Sequence, residues 1–295
     1  DMSWFKNRDA ADSHHVFDRV RGAKLHIKPD LGNIEEQDDN SLYAWLTNGY
    51  YVASSDSVNA NTEKIVVWNW LESATSGFDI VSFTGNGSAR TISHSLSAVP
   101  SMMLVKNRGS AYGWQVYHHK NTSAPETEII YLHADTATAD SNVEWNDIAP
   151  TSSVFTVGTD VGVNENTKGM IAFLFAEKQG FSKISSFVGN GNADGTFVYT
   201  GFSPAFVMIK NVGQTASWNI KDNRRNNAST SFNINPRNAT LLPNDSAADQ
   251  DANALDFLSN GFKNRSNGGD VNASGTQFIY MAFAVQPFVT STGVP

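Results

Sequence analysis

One phrase returns along this chain and limits the architectures open to it. Met102-Met103-Leu104-Val105-Lys106-Asn107-Arg108 reappears as Phe206-Val207-Met208-Ile209-Lys210-Asn211, and Met2-Ser3-Trp4-Phe5-Lys6-Asn7-Arg8 stands near the start. The lysines lie 106 − 6 = 100 and 210 − 106 = 104 residues apart. A second phrase keeps the same order: Ile65-Val66-Val67-Trp68-Asn69-Trp70, Met170-Ile171-Ala172-Phe173-Leu174-Phe175, and Phe278-Ile279-Tyr280-Met281-Ala282-Phe283. A third, Phe83-Thr84-Gly85-Asn86-Gly87, returns as Phe187-Val188-Gly189-Asn190-Gly191. The unit is about 100 residues, the size of a domain and longer than solenoid repeats of about 20–50 residues. The chain therefore divides into a partial first repeat (1–76), a second repeat (77–179), a third repeat (180–285) and a C-terminal tail (286–295). Ser73 to Gly77 and Lys178 to Gly180 are short links. They predict self-contained units joined like beads in a stiff rod.

Short β-branched and aromatic runs separated by Gly, Asn, Asp and Ser clusters read as strands. They fall at Asp79–Phe83, Arg90–His94, Met102–Lys106, Trp114–His118, Glu128–His133, Val154–Val157 and Met170–Phe175. In the third unit they fall at Lys183–Phe187, Thr196–Tyr199, Phe206–Lys210, Trp218–Lys221, Ala239–Leu242, Gly261–Lys263 and Phe278–Phe283. The expected class is all-β, built as tandem antiparallel β-sandwich repeats of about 100 residues. Met170–Ala176 and Ile279–Ala284 do not alternate, so they should be central strands covered on both faces. The best helical candidate is one turn near Ala252–Leu258.

Hydrophobic residues make up 40% of the chain and charged residues 17%, a globular but lightly charged balance. Asn, Ser, Thr and Gly supply the polar surface, as in many extracellular and virion-surface β proteins. A net charge of −8 argues against nucleic acid as a partner, since phosphate binding needs clustered Lys and Arg. There are no cysteines, hence no disulfide framework and no thiolate metal site. No apolar run approaches the roughly 18 residues of a membrane helix, so membrane insertion is not expected.

The motifs favour structure over chemistry. Gly85-Asn86-Gly87 and Gly189-Asn190-Gly191 are followed by strands, not helices, so they read as tight hairpin turns rather than phosphate cradles. Asp38-Asp39-Asn40, Asp140-Ser141-Asn142 and Asp251-Ala252-Asn253 each offer too few oxygens for calcium and read as Asx-turns. His14-His15 and His118-His119 are adjacent pairs whose side chains point to opposite faces of a strand, which prevents chelation of one metal. Trp114 and Trp218 follow Lys106 and Lys210 by the same interval, with His14 at that place in the first unit. They read as core residues, with a sugar-stacking platform as the alternative. No Ser/His/Asp set or paired-carboxylate constellation stands out. We expect no enzyme, no catalytic residue, no metal and no cofactor, and the binding residues are left unassigned.

Ser186-Phe187-Val188-Gly189-Asn190-Gly191-Asn192-Ala193-Asp194-Gly195, with Phe197-Val198-Tyr199-Thr200-Gly201-Phe202-Ser203-Pro204-Ala205-Phe206-Val207-Met208-Ile209-Lys210, resembles a repeated domain of uncharacterised function. That domain occurs in structural proteins of marine tailed phages, cyanophages among them. Leu255-Asp256-Phe257-Leu258-Ser259-Asn260-Gly261-Phe262-Lys263, Tyr280-Met281-Ala282-Phe283-Ala284 and the tail Gln286 to Pro295 are similar to it as well. The resemblance implies a tail-fibre-like virion appendage on the virion surface. Its role would be host attachment by contact with a surface glycan, or a purely structural one as capsid decoration, fibre shaft or adaptor. A polysaccharide depolymerase is the least expected reading, since the short regular repeat of a β-helix is lacking. The first unit has no Gly-Asn-Gly segment and the chain no initiator Met. Its missing strands are expected from upstream residues or another subunit, leaving Ile65–Leu71, Val16 and Phe17 uncovered. From this we expect a homo-oligomer, and the resemblance to virion fibres implies a homotrimer associated with other virion proteins.

Overall fold

The computed structural model describes residues 1–225 and 235–286. It is all-β, with 43% strand and 5% helix in several antiparallel sheets. The first third holds β1 (Met2–Asn7), β2 (His15–Asp18), β3 (Leu25–His26), β4 (Glu36–Gln37), β5 (Leu42–Leu46), β6 (Gly49–Val52), the helical turn α1 (Asp56–Asn59) and β7 (Ile65–Trp70). The middle holds β8 (Phe78–Thr84), β9 (Arg90–Ser93), β10 (Met102–Asn107), β11 (Gln115–His118), β12 (Glu128–Tyr131), β13 (Ala139–Asp140), β14 (Val154–Val157), α2 (Val161–Asn164) and β15 (Gly169–Phe175). The last third holds β16 (Ser182–Val188), β17 (Phe197–Tyr199), β18 (Pro204–Asn211), β19 (Asn219–Asp222), β20 (Arg237–Thr240), β21 (Gln250–Leu258), β22 (Gly261–Asn264), α3 (Gly269–Asn272) and β23 (Gln277–Ala284).

Three sheets are organised around the three lysine strands. β1 lies between β2 and β7, β10 between β11 and β15, and β18 between β19 and β23. A further strand closes two of them: β8 pairs outside β15, and β16 outside β23. The first sheet stops at β7. The non-alternating runs are covered on both faces, as their composition requires. Ile171, Phe173 and Phe175 of β15 enter one apolar cluster, while Ala172 and Leu174 enter a second with Trp145 and Phe155. β23 divides the same way, with Ile279, Met281 and Phe283 on one side and Phe278, Tyr280 and Ala282 on the other.

The bead arrangement is not what the chain adopts. One cluster draws Trp4, Trp68 and Trp70 from the first sheet, Leu104, Phe173 and Phe175 from the second, and Phe206, Met208 and Phe283 from the third. At its middle, Trp70, Phe175 and Phe283 form a triangle of rings 5.8–6.2 Å apart. These residues hold the same register place in β7, β15 and β23, opposite Met2, Met102 and Phe206. The sheets thus pack around a pseudo-threefold axis. Each buries one face in a cluster of its own third and the other face in the cluster shared by all three.

Two further expectations change. Ala252–Leu258 belongs to β21, not a helical turn; the strand is bulged, with Asn253 at φ of 51°, and Leu255–Leu258 pair in unbroken register with β22. The Gly-Asn-Gly segments do turn the chain, with Gly87 and Gly191 at φ of 70° and 66°, but they are not hairpins. β8 and β9 lie in different sheets, so the turn carries the chain across the core. The surfaces thought uncovered are filled in part from within: Val16, Phe17, Trp68 and Trp70 are buried, Ile65, Val66 and Val67 are half-buried, and Asn69 and Leu71 are exposed.

Candidate functional site

The repeated lysines and asparagines are internal joints. Lys6, Lys106 and Lys210 are fully buried. Their ammonium groups reach main-chain oxygens: Lys6 donates to Asn7 and Ala10, Lys106 to Asn107, Tyr112 and Gly32, and Lys210 to Ala216 and Asp135. Gly32 and Asp135 belong to the neighbouring third of the chain, so the amine ties one sheet to the next. Burial lowers the Lys106 and Lys210 amines to about 8. Beside them Asn107 accepts from Gly109 and Ser110 N–H and donates to the Val161 carbonyl, which pins α2 against β10.

The tryptophans sit in the core, and their N–H groups close a ring. Trp114 donates to the Lys28 carbonyl of the first third, and Trp218 to the Tyr131 carbonyl of the middle third. His14, which replaces tryptophan in the first third, reaches the Leu242 carbonyl of the last third at 3.0 Å. Its other ring nitrogen accepts from the Trp4 indole at 2.8 Å, which fixes the tautomer with hydrogen on Nε2. Main-chain bonds repeat this circuit: Glu35 N–H to Arg108 O, Thr138 N–H to Val212 O, and Asp249 N–H to Arg8 O. Two of the joints are ionic. Arg21 binds Asp18 and Glu35, and Glu35 binds Arg108; Arg225 binds Asp222 and Asp249, and Asp249 binds Arg8. At the third, Thr138 gives its hydroxyl to Asn121 of the same third at 2.6 Å, and Gln277 of the last third donates to the Asn121 carbonyl at 3.2 Å.

The His118-His119 pair makes structural contacts across to the last third. His118 contacts the Tyr280 carbonyl, and His119 the Ile184 carbonyl at 2.7 Å. Burial pushes His15 and His118 down to about 3 and His26 to about 4, so all three are neutral near pH 7. Among the Asp-x-Asn motifs, only Asp38 shows an Asx-turn, accepting from Asn40 N–H at 2.8 Å. Asp140 pairs with Glu128 in a ladder, and Asp251 lies in β21. Among the described residues no three His, Cys, Asp or Glu side chains cluster to hold a metal ion.

Two surface features are candidates for recognition. The first is the β5–β6 hairpin, whose turn Thr47-Asn48 leads into Gly49. Tyr43 and Tyr51 are 47% and 56% exposed and meet edge to face at 5.8 Å. Lys24 sits 4.4 Å from the centre of the Tyr43 ring and pairs with the exposed Asp39 carboxylate. Arg19 lies over Trp45, which meets Tyr50 edge to face. Neither hairpin tyrosine was singled out from sequence; the available signal was Tyr43-x-Trp45 and Tyr50-Tyr51 around Asn48-Gly49. The second feature is a cavity of about 240 Å³ between β7 and the β18–β19 end of the third sheet, lined by Val66, Trp68, Phe206, Asp222, Asn223 and Arg224, among others.

A family model described as a domain of unknown function (DUF7483) matches residues 1–287, and the chain belongs to that family. No curated protein and no solved structure matches the chain.

Proposed function

We propose that this DUF7483 chain is a non-enzymatic, tail-fibre-like part of a phage virion surface that contacts a glycan of the host through its β5–β6 hairpin. The observation that carries this reading is the exposed Tyr43–Tyr51 pair flanked by Lys24 and Asp39. Aromatic faces stack on the apolar faces of sugars, and neighbouring charged groups fix hydroxyl orientation. The phage setting rests on the sequence resemblance. On the same reading the three thirds are tandem sandwich-type units of about 100 residues, and a virion would carry the chain as a homotrimer beside other virion proteins. Display in many copies would turn weak contacts into avidity.

The competing reading is a purely structural virion module. It is favoured by the closed circuit of buried inter-sheet bonds, which makes a rigid block without any need for a ligand. Titration of host surface polysaccharide fragments into wild type and Tyr51→Ala separates the two. Adhesion predicts saturable binding weakened about tenfold by the substitution, roughly the worth of one stacked ring. Absence of binding by the wild type to every host fraction favours the structural module.

A further inference from the structure

Among the described residues β7 is an edge strand where its counterparts are not. The Arg8 N–H to Lys64 O bond and the β1–β7 register direct residues 64, 66, 68 and 70 toward β1. By antiparallel alternation, Ile65, Val67 and Asn69 turn their N–H and C=O groups to the open side. In β15 the corresponding residues are Met170, Ala172 and Leu174, paired to Phe83, Val81 and Asp79 of β8. In β23 they are Phe278, Tyr280 and Ala282, paired to Phe187, Ser185 and Lys183 of β16.

Two observations show that more than a bare edge is present. The cavity lies beside β7, and Asn223 lines it. The corresponding residue of the middle third, His119 (119 + 104 = 223), meets the backbone of β16 at Ile184. Ile80 of β8 and Ile184 of β16 both enter the central cluster, and the space beside Val66, Trp68 and Phe206 corresponds to theirs. The second observation is at α1. Asn164 of α2 accepts from Asn86 N–H and donates to Ser88 O and Gly158 O, so it grips the Gly85-Asn86-Gly87 turn. Asn272 of α3 grips Gly189-Asn190-Gly191 the same way, through Asn190, Asn192 and Ser266. Asn59 of α1 keeps the local bond of this set, to the Ala53 carbonyl, and is otherwise exposed.

We propose that the open edge of β7 accepts an extended segment of a partner polypeptide, which pairs antiparallel with Ile65–Trp70, places an apolar side chain in the adjoining cavity, and ends in a Gly-x-Gly turn held by Asn59. The occupant's chemistry is that of β8 and β16: about seven residues with an Ile-type side chain directed inward at the third position. Main-chain pairing supplies affinity, and the cavity and the asparagine supply register.

A synthetic peptide of residues 77–88, Gly77 through Ser88, serves as the probe, with a scrambled peptide and a version ending at Thr84 as comparisons. Calorimetry and amide chemical shifts of the whole chain are the readouts. The expected result is one-to-one binding that shifts the Val67 and Asn69 amides. Val67→Pro removes an open-edge N–H without touching the β1 ladder, a place where strands tolerate proline, and abolishes binding. Asn59→Ala, an exposed change, weakens the full peptide about tenfold and leaves the version ending at Thr84 unaffected. Circular dichroism establishes that both variants are folded. The proposal is overturned by no binding, by equal binding of the scrambled peptide, or by binding indifferent to both substitutions. It is also overturned if the chain self-associates through β7, seen as a dimer that Val67→Pro dissociates and the peptide does not.

Discussion

Replacing Phe175 tests the shared core more directly than any other single change. Its ring is 2% exposed and stacks on Phe78 at 4.7 Å, with Trp70 and Phe283 each at 6.2 Å. Burial of a phenylalanine contributes about 1.5–3 kcal/mol, and each well-placed aromatic pair adds about 0.5–1.5 kcal/mol. Part of that is regained if the neighbouring rings relax into the space. Phe175→Ala should therefore cost about 3–5 kcal/mol, the usual range for a buried phenylalanine. Against a total stability of about 5–15 kcal/mol, this is a large fraction. The more diagnostic quantity is which residues respond. Fluorotryptophan labelling gives separate signals for Trp4, Trp114 and Trp218, one in each sheet region. Around a common core all three should lose their native signals at one lowered urea midpoint, with a single m-value fitting the whole transition. If Phe175→Ala shifts Trp114 while Trp218 unfolds at its wild-type midpoint, the sheets are independent units and the argument for one core fails.

Two other outcomes follow from the joints between sheets. Arg225→Met leaves Asp222 buried without its cation and Asp249 with Arg8 alone, and should cost about 3–5 kcal/mol by chemical denaturation, whereas a loss below about 1 kcal/mol would show the joint to be solvated. The buried histidines make stability fall with acid. His118 takes up a proton near 6.5 when unfolded but only at about 3 when folded, so its contribution is complete above pH 6.5 and is lost progressively as pH falls toward 3. At pH 5 that amounts to about 2 kcal/mol for this residue. His15 acts in the same sense. Burial raises the carboxyls of Asp30, Glu144 and Asp160, and their earlier protonation on the folded chain opposes the trend as pH falls. Denaturation midpoints at pH 7 and pH 5 measure the effect, and His118→Gln should flatten the difference. A profile level between those values would contradict the burial of these rings.

What the sequence disclosed was local. Strand positions were legible because β-branched and aromatic runs alternate with turn residues, and the continuous apolar runs of β15 and β23 announced strands covered on both faces. The equivalence of Trp114, Trp218 and His14 was visible too, because all three follow a repeated lysine by the same interval. Their purpose was not visible. A tryptophan donating to a carbonyl some 86 residues away is a long-range pairing that no spacing encodes. Lys106 looks like a solvated charge in a strand. Only the convergence of the Asn107, Tyr112 and Gly32 carbonyls makes its burial tolerable. The Tyr43–Tyr51 pair escaped notice because a hairpin's outward face has no core pattern to mark it.

The joints differ in what lies beside them, although the Arg21–Glu35–Arg108 joint is ionic with β8 in place outside β15. Where the middle and last thirds meet, His119 reaches the Ile184 carbonyl of β16 and His118 the Tyr280 carbonyl of β23. Where the last third meets the first, no strand lies outside β7 among the described residues. There Trp68 donates to Asp222, the Arg225 guanidinium lies 5.4 Å from the centre of the Trp68 ring, and Asp249 bridges Arg225 to Arg8. Buried ion pairs are poor sources of net stability but are strongly directional, since a misplaced partner leaves a charge unpaired. They hold β7 against the third sheet with its outer edge open, and they do so without occupying the cavity beside Val66. The same network that closes the block therefore also leaves room at its one unfinished edge.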